Sequence, residues 1–312
     1  MVKNQQIAVI GGGLMGHGIA LTFARAGHYV TITDPVADVL ASVPQRVSDS
    51  LRLLGASDPD VAKALKRIEL CNGIASAVQN ASFVFEAAPE KLALKQSIFA
   101  EVEAHAPATA ILASNTSVIP ITQIMGALTT RHRALGTHWW NPPHMIPLVE
   151  VIKTEWTDGD LADTMVDLLA DAGKTPVLVE KDVPGFIGNR LQHALWREAI
   201  SLVENGVCTA QAVDDVVKAS FGRRMAVLGP LENADLVGLE LTQDIHRQVL
   251  FDLDTSAAPS PLLQRMLDDG RTGMAAGAGL RDWNSDDLDN TKARIARHLN
   301  DLDAILTHRE TT

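Results

Sequence analysis

The chain of 312 residues is long enough for two domains, and its 46% hydrophobic and 21% charged residues are typical of a folded globular protein. Its formal net charge of -11 argues against a general surface for nucleic acid or for an anionic membrane, because both require clustered Lys and Arg. No apolar run approaches the length that spans a bilayer. We therefore expect a small-molecule substrate as the partner, with no nucleic acid and no membrane.

The cysteines indicate the redox compartment. Only Cys71 and Cys208 occur, and their spacing fits neither a CxxC motif nor a metal site, so we expect no disulfide framework and no metal. The first apolar run begins close to Met1, so we expect no secretory signal. Together these features predict a reducing, cytoplasmic setting.

The N-terminal segment predicts a nucleotide site. An apolar run from Ile7 to Ile10 leads into GGGLMGHG and then into an Ala-rich segment with helical periodicity, which is the order strand, turn, helix. The turn fits G-x-G-x-x-G, in which the first glycine permits the tight turn, the second lets a pyrophosphate approach the backbone, and the third lets helix pack on strand. The alternative is a turn that collects glycines for conformational reasons alone. Because the helix N-terminus faces the phosphates, we predict cofactor contacts at Gly11, Gly13, Leu14, Met15 and Gly16.

The next strand ends in a carboxylate that selects the cofactor. YVTIT, from Tyr29 to Thr33, is strand-like and is followed by Asp34. A carboxylate at this position accepts hydrogen bonds from both ribose hydroxyls of NAD and repels the 2'-phosphate of NADP. The sequence therefore predicts NAD as the cofactor.

Strands and helices then alternate along the chain. After a helical excursion over residues 35–67 come FVFEAAPE, a helical stretch from Lys91 to His105, ILAS, a further helix and ALGTHWW. This alternation predicts an α/β fold, a Rossmann-type doubly wound parallel sheet whose ligands sit beyond the carboxyl ends of the strands. ASNTS (113–117) and THWWN (137–141) fall at such ends, so both segments are expected to line one crevice.

A histidine and a glutamate flank a loop that contains three prolines. His138 lies at a strand end, where it is a candidate general base that removes a proton from an alcohol; histidine suits this role because the unperturbed pKa of an imidazole lies near neutrality. A buried histidine bonded to backbone is the alternative. Glu150 lies in LVEVI, a buried strand, where a glutamate is rarely unpaired. The loop can return this carboxylate to the imidazole, so we predict a His/Glu dyad.

A proline-glycine break in KDVPGFIGNR marks the start of a second domain. It precedes a long amphipathic helix with Leu191, Leu195 and Leu202 on its apolar side. We predict an NAD-binding domain over residues 1–183 and an all-helical domain over residues 184–312. Asn189 lies in the first turn of the helix, where its amide either bonds a substrate oxygen or serves only to start the helix.

The motifs GGGLMG, FEAAPE, SNTS, GTHWWNPP, LVEVI and PGFIGNR resemble, in order and spacing, those of the L-3-hydroxyacyl-CoA dehydrogenase family. The resemblance covers nearly the whole chain. It implies that His138 is the catalytic base, that Glu150 is its partner, and that Ser117 and Asn189 assist at the substrate oxygen. It also implies a helical domain that closes over the substrate and forms a homodimer. The positions that the resemblance assigns to the cofactor are Asp34, Glu90, Lys95, Ser117 and Asn141.

The sequence departs from the acyl-CoA members where CoA phosphates would bind. Instead of a lysine-rich stretch it reads LLGASDPDVAKALKR, acidic in its first half, although Lys63, Lys66 and Arg67 leave a modest basic patch. The loop GMAAGAG (273–279) lacks the lysine that the family uses to hold the cofactor. FGRRMAVLGP instead carries Arg223 and Arg224, which suit bidentate binding of a carboxylate. A solvated surface pair is the alternative of equal weight.

Three functions follow from these patterns. The first is an NAD-dependent dehydrogenase of a small carboxylate-bearing hydroxy compound, or of an aldehyde through its hydrate, similar to the non-CoA branch that includes gulonate 3-dehydrogenase (lambda-crystallin). The second is a short-chain L-3-hydroxyacyl-CoA dehydrogenase with the same dyad. The third is a non-catalytic NAD-binding structural protein, against which the joint presence of His138, Glu150, Ser117 and Asn189 argues.

Overall fold

A computed structural model describes residues 4–309 and, within them, all side chains except those of residue 303 and residues 306–309. One eight-stranded sheet has the order β3-β2-β1-β4-β5-β6-β7-β8. Every neighbouring pair is parallel except β6 and β7, which are antiparallel. The predicted Rossmann-type α/β fold is confirmed, with this one antiparallel pair as the difference. The strands are β1 Gln6–Ile10, β2 Tyr29–Thr33, β3 Ile68–Leu70, β4 Phe83–Glu86, β5 Ile111–Ser114, β6 Ala134–Trp139, β7 Leu148–Ile152 and β8 Thr175–Val179.

Helices surround the sheet and form the C-terminal part of the described chain. None of these helices is both long and apolar enough to cross a bilayer. Their bounds are α1 Gly16–Ala26, α2 Ala37–Leu53, α3 Asp58–Leu65, α4 Ile74–Val78, α5 Leu92–His105, α6 Ile121–Met125, α7 Gly159–Asp171, α8 Gly188–Glu204, α9 Ala210–Ala219, α10 Pro230–Val237, α11 Leu239–Val249, α12 Pro261–Asp268 and α13 Asp287–Arg309.

The sheet is buried on both faces, which is why its strands read as continuous apolar runs. Ile7 and Val9 of β1 belong to a core layer that includes residues of α1, α2, α3 and α7. Ala8 and Ile10, the alternate residues of the same strand, belong to a second layer with α4, α5 and α6. The period of two along the strand thus places its residues in two separate cores.

The chain divides into two compact units. Within the described residues, the first unit contains the sheet and comprises residues 4–190 and 296–309; the second is Leu191–Ile295. This division lies a little after the boundary predicted between residues 183 and 184, which stays a prediction. The first turn of α8 groups with the sheet because Gly188 donates to Glu150 and Asn189 donates to Ser117.

The second unit has almost no apolar core of its own. Leu262 is the only buried hydrophobic residue within Leu191–Ile295, every residue of which is described. On α8, the predicted apolar side is only partly covered: Leu191 and Leu195 are 59% and 42% exposed, whereas Leu202 is half-buried. The amphipathic pattern of α8 is therefore present, but in a single chain the first two turns of its apolar side are exposed.

Candidate active site

The glycine turn between β1 and α1 has the geometry that a pyrophosphate requires. Gly11 has a φ of 105°, and a Cβ there would lie 2.7 Å from the carbonyl oxygen of Ala87. A Cβ on Gly16 would collide with the carbonyl of Gly11. Gly13 faces open space instead, with nothing within 4 Å of its Cβ position. Backbone packing therefore requires two of the glycines, and the third leaves room for a ligand.

The amides at this turn are available to an anion. The backbone N–H groups of Gly13, Leu14 and Met15 donate no hydrogen bond within residues 4–309, and Met15, the N-cap of α1, supplies no side-chain cap. Unsatisfied N–H groups at a helix N-terminus bind phosphate, aided by the helix dipole. The residues present fit the pyrophosphate of a dinucleotide.

Asp34 lies at the end of β2, beside the glycine turn. Its Oδ2 accepts a hydrogen bond of 2.8 Å from the N–H of Gly12, and its Oδ1 accepts one of 2.9 Å from the N–H of Val36. Each carboxylate oxygen retains lone pairs for a ribose hydroxyl. The position and orientation of Asp34 therefore fit the predicted ribose contact.

Arg46 of α2 is a residue that the sequence analysis missed. Its Nη1 donates to the carbonyl of Gly12 at 2.8 Å, and its Nη2 lies 2.9 Å from Nδ1 of His17. The guanidinium thus holds the carbonyl side of the glycine turn and leaves the N–H side open. Nothing in the helical excursion over residues 35–67 distinguishes Arg46 from a surface arginine, so sequence alone offers no signal for it.

The predicted pair of His138 and Glu150 meets across the antiparallel strands. These two residues are directly opposite each other in the register of β6 and β7. Nδ1 of His138 lies 2.7 Å from Oε2 of Glu150, and the two residues are only 3% and 1% exposed. The rings of Trp140 and Phe186 lie 5.3 Å and 5.6 Å from the imidazole, centroid to centroid. A buried carboxylate therefore contacts one side of the imidazole, and two aromatic rings lie next to the imidazole.

Glu150 is held in its ionised form. Burial by itself raises the pKa of this carboxyl, but hydrogen bonds from His138, Gly188 and Ile187 outweigh burial and lower the pKa below its ordinary value. Its Oε1 accepts the N–H groups of Ile187 at 2.8 Å and of Gly188 at 3.0 Å. An ionised carboxylate has no proton to donate, so Nδ1 of His138 carries the hydrogen of the shared bond. Nε2, which makes no hydrogen bond within residues 4–309, is then the basic nitrogen.

Ser117 and Asn189 are brought together from distant parts of the chain. Nδ2 of Asn189 donates to the carbonyl oxygen of Ser117 at 2.8 Å. Ser117 is exposed beyond the end of β5, whereas Asn189 is 9% exposed. Asn115 joins this segment to the neighbouring strand end, since its Oδ1 accepts the N–H of Trp139 at 2.9 Å. Hydrogen bonds thus hold in place the segments at the ends of β5 and β6, where the crevice is predicted.

Glu90 and Lys95 belong to a buried network of charges. Lys95 is 0% exposed, and its Nζ lies 2.7 Å from Oε1 of Glu86 and 3.3 Å from Oε2 of Glu90. The resemblance implies a cofactor contact for Lys95, and that contact stays a prediction. The sequence analysis did not identify Glu86. The signal was present, because Glu86 ends the apolar strand FVFE, and a glutamate in an apolar strand is what identified Glu150.

The remaining predicted residues are exposed. Asn141 follows Trp140 beyond the end of β6 and precedes a cis peptide bond to Pro142. Arg223 and Arg224 lie at and just after a 3-10 turn of the second unit, and no hydrogen bond or ion pair of either guanidinium occurs within residues 4–309. In the same part of the chain, no three His, Cys, Asp or Glu side chains are grouped as ligands for a metal ion.

Comparison with protein families matches both parts of the chain. The NAD-binding domain of 3-hydroxyacyl-CoA dehydrogenase matches residues 6–183, and the C-terminal domain of 3-hydroxyacyl-CoA dehydrogenase matches residues 185–283. These two matches together cover well over half of the sequence.

Curated relatives act on different substrate classes. The 5-formyl-3-hydroxy-2-methylpyridine 4-carboxylate 5-dehydrogenase of Mesorhizobium japonicum is 34% identical over 316 residues, which covers 99% of this chain and 100% of that protein. The human mitochondrial hydroxyacyl-coenzyme A dehydrogenase is 37% identical over 287 residues, which covers 88% of this chain and 90% of that protein.

One similar solved structure is of an enzyme with the same name as the first of these relatives. The crystal structure of 5-formyl-3-hydroxy-2-methylpyridine 4-carboxylic acid 5-dehydrogenase, an NAD+-dependent dismutase, has a TM-score of 0.90 and 32% identity, covering 97% of this chain and 99% of that one. NAD is therefore the cofactor, as the glycine turn and Asp34 predict. The chain belongs to the 3-hydroxyacyl-CoA dehydrogenase family of NAD-dependent oxidoreductases.

Proposed function

We propose that this dehydrogenase oxidises a small carboxylate-bearing hydroxy compound, or an aldehyde through its hydrate, with His138 as general base and Glu150 as the partner of that base. The observation that carries the proposal is the buried 2.7 Å contact between Nδ1 of His138 and Oε2 of Glu150. Bound NAD supplies the hydride acceptor. Nε2 of His138 takes the hydroxyl proton, and the charge that this creates on the imidazole is stabilised by the adjacent carboxylate.

The substrate oxygen needs donors as its charge changes during proton removal. We assign this role to Ser117 and Asn189, which share a hydrogen bond at the ends of β5 and α8. The hydroxyl of Ser117 makes no hydrogen bond within residues 4–309, so it is available to a ligand. The residues that we propose as cofactor contacts are Gly11, Gly13, Leu14, Met15, Gly16, Asp34, Glu90, Lys95, Ser117 and Asn141.

Two features support a free carboxylate, rather than a CoA thioester, as the substrate. The start of α3 is acidic and exposed, with Asp58 and Asp60 in its first turn. Of the three bases in the modest patch that follows, Arg67 donates to the carbonyl of Gly27 and its guanidinium lies 5.2 Å from the ring centroid of Tyr29. Of the three, only Lys63 and Lys66 are therefore left as exposed bases for a CoA phosphate.

Arg223 and Arg224 are the residues that we propose for the substrate carboxylate. Both are exposed, and neither guanidinium has a partner in the part of the chain that the structure describes. Arginine binds carboxylates through two parallel hydrogen bonds. A guanidinium already paired within the protein would not be free to form them. The similarity over nearly the full length of both chains to a pyridine carboxylate dehydrogenase favours the same class.

The test is NADH formation against a panel of CoA thioesters, free 3-hydroxy acids and aromatic aldehydes that carry a carboxylate. We expect turnover on a free carboxylate. High efficiency on acetoacetyl-CoA with NADH, and none on the free acids, would instead establish the short-chain hydroxyacyl-CoA dehydrogenase. Absence of turnover with every class, despite binding of NAD, would favour the non-catalytic structural protein.

We further propose a homodimer formed through the helical region of residues 184–312. An extensive set of apolar side chains on α8, α10 and α11 is exposed in the single chain, and burying such a set is the usual reason for stable association. Light scattering should give twice the chain mass of 33.5 kDa. Both cysteines are free, which supports the proposal of a reducing, cytoplasmic setting. The exposed apolar residues of these helices include Leu191, Leu195, Trp196, Leu231, Leu236, Leu239, Leu241, Ile245 and Val249.

A further inference from the structure

We infer that Lys174 is a positioning residue for the dyad. Its ammonium group fixes the dyad loop, residues 140–147 between β6 and β7, and thereby keeps His138 opposite Glu150. The inference rests on the proposed function, because it concerns how the base and its partner are held. It assigns a role in the reaction to a residue that lies on neither of the two strands.

The dyad loop is poor in hydrogen-bond donors. Pro142, Pro143 and Pro147 have no backbone N–H, whereas each of them has a carbonyl oxygen. Within the loop, the N–H groups of Met145 and Ile146 both donate to the carbonyl of Pro142 at 3.0 Å. The remaining carbonyls of the loop therefore depend on water or on donors from elsewhere in the chain.

Lys174, which immediately precedes β8, supplies such donors. Its Nζ lies 2.5 Å from the carbonyl oxygen of Pro143 and 3.0 Å from that of Ile146. The backbone N–H of Thr175, the next residue, donates to the carbonyl of Pro147 at 2.9 Å. A charged donor forms a stronger hydrogen bond than a neutral one. One short segment of the chain thus holds three carbonyls of the dyad loop, two of them through the ammonium.

The same ammonium contacts the strand that carries the base. Its Nζ lies 5.4 Å from the ring centroid of Trp139, the buried residue that follows His138 on β6. A cation within about 6 Å of an aromatic ring centroid is attracted to the ring face. His144 of the loop does not oppose this charge. Burial, together with His17 and Lys174, lowers the pKa of His144 to about 4, so its ring is neutral near pH 7.

The dyad loop also packs tightly against α1. A Cβ on Gly18 would lie 2.5 Å from Cγ of Pro143 and 3.1 Å from Nδ1 of His144. The loop therefore has no room to shift toward the helix whose N-terminus is the candidate pyrophosphate site. α1 limits movement of the loop in one direction, and Lys174 binds the loop from the start of β8.

The position of the loop matters because it sets the register of the dyad. His138 and Glu150 are opposite residues of an antiparallel pair, in which side chains alternate between the two faces of the sheet. The connecting loop fixes the register of such a pair, and a slip by one residue turns every side chain to the other face. The contact of 2.7 Å between the two residues would then be lost. Even a displacement of about 1 Å at a catalytic group can lower turnover about 10²-fold.

The first test compares Lys174→Met with Lys174→Arg, which keeps a charged donor. We expect Lys174→Met to lower kcat about 10–100-fold, while the Kd of NAD, measured by calorimetry, stays within about twofold of wild type. Lys174→Arg should recover most of the lost turnover, because a guanidinium can donate to two carbonyls. Lys181→Met, at an exposed lysine just after β8, is the matched control and should behave as wild type. Turnover of Lys174→Met equal to that of Lys181→Met would overturn the inference.

The second test needs no substrate. The Nδ1 hydrogen of His138 lies in a buried bond to Glu150, so it should exchange slowly with water and give a distinct proton NMR signal. His138→Ala identifies this signal by its loss. We expect the signal to broaden or vanish in Lys174→Met and to return in Lys174→Arg. An unchanged signal in Lys174→Met would refute the positioning role.

A milder variant covers the case in which Lys174→Met does not fold. Lys174→Gln keeps a neutral donor and should weaken the His138 signal in the same direction, and an unchanged signal in this variant counts equally against the role. All measurements are made well below the Tm of each variant, so that partial unfolding does not contribute. Because the NMR signal does not involve turnover, it decides the role of Lys174 even if no hydroxy compound is oxidised.

Discussion

Replacing Glu150 by Gln tests the dyad at the residue on which it depends. The amide is nearly the same size as the carboxylate, and its oxygen can still accept the N–H groups of Ile187 and Gly188. The other position changes from an acceptor to an NH₂ donor. Beside His138, this group bonds to an unprotonated Nδ1 and so places the ring hydrogen on Nε2. The variant therefore presents an N–H to the substrate in place of a base.

The expected loss combines two effects. A comparable change from carboxylate to amide in a hydrolase triad, which also fixes the wrong tautomer, costs about 10⁴-fold in turnover. We expect kcat to fall by about 10³–10⁴-fold, with NAD binding retained, because Glu150 lies on β7 and not at the glycine turn. A neutral hydrogen bond replaces the charge-assisted one of 2.7 Å, and this exchange should reduce the free energy of unfolding by about 1 kcal/mol.

The stability effect should depend on pH in one direction. The pKa of Glu150 in the folded protein is lowered from its ordinary value of 4.5, so its contribution to stability is complete above pH 4.5. The contribution is lost as pH falls through the lowered pKa. Urea unfolding should therefore show the largest gap between wild type and Glu150→Gln at neutral pH, and a smaller gap well below pH 4.5.

The assay is steady-state NADH formation on the identified substrate, with NAD affinity measured by calorimetry. Glu155→Gln, an exposed glutamate that follows β7, is the control and should behave as wild type. If Glu150→Gln keeps more than about one tenth of wild-type turnover, the tautomer argument is wrong, since base catalysis alone is commonly worth about 10²–10⁴-fold.

Three further substitutions separate the base, the cofactor and the substrate. His138→Ala should lower kcat by about 10²–10⁴-fold while NAD binds as before, and near-normal turnover in a stopped-flow assay would exclude His138 as the base. Asp34→Ala should narrow the preference for NAD over NADP by removing the like charge that meets the 2'-phosphate; equal kcat/KM of the wild-type enzyme with both cofactors would contradict this. Arg223→Met and Arg224→Met should each raise KM for a free carboxylate by up to about 100-fold, as expected for a charge-assisted pair worth about 1.5–3 kcal/mol, without lowering Tm. An unchanged KM in both arginine variants would remove them from substrate binding.

Much of the N-terminal unit is determined by local sequence. Apolar runs set the positions of β1 and β2, and the positive φ at Gly11 together with the close approach at Gly16 requires glycine at both positions of the motif. The pairing of His138 with Glu150 was also predictable, because a short proline-rich loop between two strands returns the chain on itself. In each case the deciding interaction acts between residues close in sequence.

Only the tertiary structure decided what those residues contact beyond their own segments. Glu150 accepts the N–H groups of Ile187 and Gly188, Arg46 supports the glycine turn, and Lys95 is enclosed by Glu86 and Glu90. These contacts depend on which strands are neighbours and on how deeply a side chain is buried, and neither property has a local pattern. The uncovered side of α8 shows the same limit: periodicity marks Leu191 and Leu195 as apolar positions of one helix, whereas what covers them depends on surfaces that lie far away in sequence or on another chain.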